Sequence, residues 1–283
     1  MNTIAVSSNR VKFFQSTLAR NLRVSLVAEK ICNVDRTDEY VIYNPYITTP
    51  TTTVQALTGT YTLSTVTTTV DTLTVQDEFV VAGHVYDFER VLSNFDLLGN
   101  FVDEMTYSVR AAIDVYVLNN LCEECTGTYD TPTGGFSSGN LKQILGDLSA
   151  KVAGYDDNLA GMYLVVENTD VSGILQGQMD SGFGFADAAL NNGLIGRMAM
   201  IDIYVVRTGT FQDATFGASG ALANLGHRLF GIKGVSTYCA PRGVQYTEKD
   251  VTLKTGKEVE AHGYIGFKAW IPKRGVTVDI TLK

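Results

Sequence analysis

Two cysteines separated by two residues, Cys122-Glu123-Glu124-Cys125, form the spacing in this chain closest to a metal or thiol-disulfide site. Such a pair supplies half of a tetrahedral zinc site, or a redox couple. The other half is missing: Cys32 and Cys239 are distant in sequence, and none of His84, His227 and His262 stands beside a cysteine. The pair reads as two ordinary thiols at a helix end. Four cysteines in 283 residues are also too few and too irregular for a disulfide framework. The glycine-rich run at residues 127–140 (GTYDTPTGGFSSGN) precedes Lys142 without the GK[ST] order that sets an amine on a phosphate. A Ser-His-acid order with motif support, paired carboxylates on a recognisable scaffold and a dinucleotide fingerprint are all missing. The expectation is a chain with no cofactor, no metal and no catalytic site, whose work is structure and assembly.

Bulk properties agree. The hydrophobic fraction of 45% allows a substantial core, in one large domain or two small ones. No apolar run approaches the ~20 residues of a membrane span and no signal core opens the sequence, so a soluble cytoplasmic protein is expected. A net charge of −8 argues against gripping nucleic acid through its backbone. Its distribution is uneven: residues 1–30 carry +4, 31–130 carry −12, 131–225 carry −5 and 226–283 carry +5. An acidic middle and a basic tail suit head-to-tail association of identical copies.

The elements that organise the chain are a threonine-rich ribbon and a long helix. Fourteen of the 27 residues from 48 to 74 are threonine, and no lysine or arginine occurs between Arg36 and Arg90. Leu73 and Val75 alternate with Thr72 and Thr74, as a half-buried strand requires. The stretch predicts a hairpin with an outward limb at 51–57, a return limb at 70–75 and a turn between Gly59 and Thr69. Limbs of about a dozen residues would reach on the order of 40 Å, too far for one domain to cover. The ribbon is therefore expected to lie on a neighbouring subunit, through Tyr61, Leu63, Val66 and Thr68.

From 96 to 125 the apolar period changes to three and four, predicting one helix with Phe101, Met105, Val109 and Ile113 on its core line and Asp103, Glu104, Arg110, Asn119 and Asn120 off it. A basic amphipathic helix is expected around Val11, Phe14, Leu18 and Leu22, and a helix cap at Asp87. Residues 127–140 read as a loop. A mixed lobe follows, with helices at 141–152 and 169–177 and strands at 162–166 and 198–206. The tail offers strands at 230–238, 243–253 and 264–271, with Val276, Val278 and Ile280 alternating at the end. It is expected to pack back on the long helix.

In this order the parts resemble the major capsid protein of tailed bacteriophages, the α+β Hong Kong 97-type fold. Residues 71–89 (DTLTVQDEFVVAGHVYDFE) resemble its loop return and following strand, 111–121 (AAIDVYVLNNL) the end of its spine helix, 191–206 (NNGLIGRMAMIDIYVV) its axial-domain strand, and 263–278 (GYIGFKAWIPKRGVTV) its closing strands. The resemblance implies an N-terminal arm at 1–43, an extended β-hairpin loop at 44–80, a peripheral domain with the spine helix at 81–126 and 226–283, and an axial domain at 127–225. It also implies a non-enzymatic subunit of an icosahedral virion shell, assembled in the host cytoplasm as pentamers and hexamers around DNA. Its partners would be a portal, with scaffold and decoration proteins where used, and no membrane.

Some members of this family join loop lysines covalently to a neighbour. This loop has no lysine, so noncovalent contacts are expected, with the acidic 31–130 region facing Lys254, Lys257, Lys273 and Arg274. Two other readings fit the same pattern of parts: the shell of a bacterial nanocompartment around an enzyme cargo, and an unrelated oligomeric β-rich tail-associated protein.

Overall fold

The computed structural model describes residues 26–47, 50, 52, 57, 59, 66–86, 97–152, 161–180, 194–198, 201–211, 226–250 and 255–283. In chain order these form α1 (Ala28–Ile31), β1 (Asn33–Asp35), β2 (Val41–Ile47), β3 (Thr68–Thr74), β4 (Asp77–Val85), α2 (Leu97–Glu124), β5 (Gly127–Asp130), α3 (Leu141–Val152), β6 (Met162–Glu167), α4 (Val171–Asp180), β7 (Leu194–Met198), β8 (Ile201–Val206), β9 (His227–Ile232), β10 (Ser236–Cys239), β11 (Gln245–Asp250), β12 (Lys257–Ala269) and β13 (Val278–Thr281). The expected helix at 11–22 and the cap at Asp87 lie outside the described residues.

Three sheets result. One runs β1-β10-β12-β11 with β4 also paired to β12, a second runs β5-β13-β9-β6-β8-β7, and β2 pairs with β3 as a two-stranded ribbon. The 28-residue α2, about 42 Å long at ~1.5 Å per residue, is covered from two sides. Met105, Val109 and Ile113 pack in one core with Val259, Ala261 and Ile265 of β12, and Val117, Leu118 and Leu121 share that core with Tyr163, Val165 and Leu229 of the six-stranded sheet. Phe101 is half-buried at its edge. The opposite face of that sheet, with Met162, Leu164, Val166 and Phe230, packs on Leu141, Ile144, Leu145 and Leu148 of α3. Strand β6 is thus buried on both faces, and its unbroken apolar run from Met162 to Val166 meets that requirement.

The structure corrects several expectations. Residues 127–130 are not loop but strand β5, parallel to β13; glycine and threonine look loop-like locally, yet the pairing partner lies 151 residues on (Gly127↔Val278). The strand expected at 230–238 is two strands, broken at Lys233 and Gly234, where Gly234 takes φ +77. Each piece enters a different sheet, so residues 226–283, one β-rich unit by composition, contribute to both. The strand expected at 198–206 is β8 over 201–206, and β7, which lies just before it, pairs with it antiparallel. The ribbon pairs in register Val41↔Thr74 to Ile47↔Thr68, with its outward strand starting at the short strand expected at Val41–Tyr43; most of the limb expected at 51–57 lies outside the described residues. Asn119, placed off the core line of the long helix by its spacing, is 1% exposed, because the last turns of α2 lie between two sheets. Its amide nitrogen donates to the carbonyls of Val115 and Thr210 at 2.7 and 2.8 Å.

Candidate assembly surface

The ribbon has two unlike faces. Directly opposed residues share a face, so Tyr43, Pro45 and Ile47 stand with Thr72, Val70 and Thr68. Tyr43, Ile47 and Val70 on this face are 67, 62 and 51% exposed. Single exposed apolar residues are ordinary; Tyr43, Pro45, Ile47 and Val70 gathered on one face of a two-stranded ribbon mark an interaction surface.

The other face is anchored at the ribbon root. Leu73 and Val75 are buried with Cys239 and Trp270, and Ile42 packs against them. The buried Asp71 accepts a 2.9 Å hydrogen bond from the amide of Ile271 and lies 3.9 Å from Lys268 Nζ. Trp270 Nε1 donates to Thr237 Oγ1 at 2.9 Å, and the Val75 amide to Tyr40 O at 3.0 Å. The root is fixed to its own subunit, while Ile47, Val66 and Thr68 at the other end of the described ribbon are exposed.

Of the residues expected to touch a neighbour, Val66 and Thr68 are exposed at the start of the return limb, and Tyr61 and Leu63 lie outside the described residues. The basic candidates do not act together. Lys254 lies outside the described residues, and Lys257 is ion-paired with Glu248 of its own chain. Arg274 bonds Glu124 Oε2 at 3.3 Å and the Ala269 carbonyl at 2.8 Å, and only Lys273 is exposed with no side-chain hydrogen bond or ion pair among the described residues. One pairing between the acidic 31–130 region and the basic tail, Arg274 with Glu124, is thus internal to the subunit.

The subunit also holds polar contacts that sequence reasoning missed. Asp114, buried on α2, accepts hydrogen bonds from the amides of Val27 and Ala28 and pins α1 to the spine. Desolvation pushes its pKa up to about 6. A carboxylate one turn from Val117 and Leu118, inside an apolar arc, was the available signal. Tyr116 donates a short hydrogen bond to Asp77, which joins the helix to β4; burial, reinforced by that carboxylate, pushes the phenol well up. Arg228 is buried against Glu167 at 3.2 Å and Asp170 at 2.5 Å. Cys122 is pushed well up and Cys125 to about 12, both chiefly by burial. Among the described residues no group of three or more His, Cys, Asp or Glu side chains is placed to hold a metal ion, and no helix is long and apolar enough to cross a membrane.

No protein-family model matches the chain, and no curated protein matches it significantly in sequence. Solved structures do match. A capsid structure of cyanophage P-SCSP1u is 12% identical with a TM-score of 0.75, over 98% of this chain and 94% of that one. A structure of Mycobacterium phage Che8 is 14% identical with a TM-score of 0.72, over 95% and 96%. The capsid of an empty GTA particle is 14% identical with a TM-score of 0.72, over 95% and 93%. At such low identity a match over nearly the whole length reports shared architecture, and the chain has the Hong Kong 97-type α+β fold of phage capsid subunits.

Proposed function

We propose that this chain is the major capsid protein of a tailed bacteriophage, a structural subunit and not an enzyme, whose copies form the icosahedral shell around DNA. The observation that carries the reading is an apolar ribbon face left open by a subunit whose fold matches capsid structures over nearly its full length. In this reading the ribbon, with Tyr61, Leu63, Val66 and Thr68, lies over a neighbouring copy. Pentamers and hexamers assemble in the host cytoplasm with a portal at one vertex, and scaffold or decoration proteins join where the phage supplies them. DNA is enclosed without being gripped, consistent with the net charge of −8. Negative-stain microscopy of the purified full-length protein tests the proposal. Closed shells are expected, and particles from infected cells should protect DNA from nuclease. Monomers or small rings would overturn the reading, and shells filled with an enzyme cargo would replace it with a nanocompartment.

A further inference from the structure

Beside the ribbon root lies a groove of ≈ 450 Å³ lined by Asp38, Glu39, Tyr40, Val75, Glu78 and Tyr264. Asp38 is held by Arg242 at 3.3 Å, and Glu78 lies near the Tyr264 hydroxyl, whose pKa it raises. Glu39 has no hydrogen bond or ion pair among the described residues. Three carboxylates and two tyrosines call for an occupant that brings a cation together with an apolar side chain.

The chain presents such a group on the 3-10 turn Ile271–Val276. Ile271 is 49% exposed, Pro272 is exposed, and Lys273 extends beside them. Among the basic side chains with no partner in the described residues, Lys273 is the one that shares its turn with a large exposed apolar residue. The turn is held rigidly, by the Ile271 amide on Asp71, the Lys273 amide on the Trp270 carbonyl at 2.8 Å, and Arg274 on Glu124. A preordered turn loses little freedom on docking. No hydrogen bond or ion pair joins it to the groove within the chain, among the described residues.

We propose that the Ile271–Lys273 turn of one copy seats in the groove of a second copy, with Lys273 against Glu39 and Ile271 between Tyr40 and Tyr264. The inference rests on the shell-subunit reading above and names a contact within it. Each copy carries both halves, so the contact repeats around the assembly.

Charge exchange in the full-length protein tests it. Glu39→Lys and Lys273→Glu each raise the protein concentration needed for assembly, by about fivefold for an exposed pair, and the double variant returns it close to the wild-type value. Circular dichroism should be unchanged throughout, because both side chains are on the surface. As a positional readout, Glu39→Cys and Lys273→Cys subunits mixed, assembled and oxidised should give a disulfide-linked dimer that neither gives alone. Wild-type assembly in both single charge variants, a double variant no better than the worse single, or particles without the mixed dimer would each overturn the pairing and leave the shell reading intact. A wild-type protein that forms no shells would overturn both.

Discussion

Asp114 Oδ1 accepts a 2.6 Å hydrogen bond from the amide of Ala28, 86 residues earlier, and so joins the root of the N-terminal segment to the middle of the spine helix. Burial raises the Asp114 pKa from 3.8 to about 6, against the two amide bonds that lower it; nearby Glu29 raises it further and Lys30 lowers it. Between pH 4 and 6 the folded chain keeps a proton that the unfolded chain has released, so stability from this group is largest below pH 4 and falls as pH rises to 6. Asp114→Asn abolishes the titration. Its thermal midpoint relative to wild type should rise across that window, by the equivalent of about 2–3 kcal/mol. Parallel pH profiles for the two proteins would contradict this.

Gly266, on β12, faces the ribbon root so closely that a Cβ there would collide with the carbonyl of Thr74 and come within 2.9 Å of Leu73 Cδ2. Gly266→Ala should push the ribbon from its anchor and cost about 1–3 kcal/mol. For a chain of this size each kcal/mol lowers the melting midpoint by about 2–4 °C, measurable by calorimetry. An unchanged midpoint would mean that the root yields freely.

Removing the Arg228 guanidinium leaves Glu167 and Asp170 buried and without their cation. Glu167 also accepts the amides of Gly209 and Phe211 at 3.0 and 3.3 Å, so the loop after β8 depends on the same carboxylate. Arg228→Met should destabilise the subunit by about 3–5 kcal/mol, read as a lower denaturant midpoint. A variant as stable as wild type would show that the cluster contributes no net stability.

Residues 37–89 contain no lysine, so the ribbon has no amine for an isopeptide bond. Purified particles boiled in detergent with reductant should run as a single band near the chain mass of 30.7 kDa. A ladder of multimers would disprove noncovalent assembly.

Much of the local structure was legible in the sequence because neighbours two to four residues apart encode it. The three-and-four spacing of Met105, Val109 and Ile113 marks the spine helix, Leu141 to Val152 form a helix over the expected span, and Leu73 and Val75 face inward while Thr72 faces out. What the tertiary structure decided depends on partners far along the chain. Strand β5 exists because β13 offers it an edge. Asn119 and Asp114 are buried because two sheets and α1 close over α2. Composition showed an acidic middle and a basic tail, but only the folded chain determines that Arg274 and Lys257 are engaged within the subunit while Lys273 stays exposed, since charge partners are chosen by distance in space.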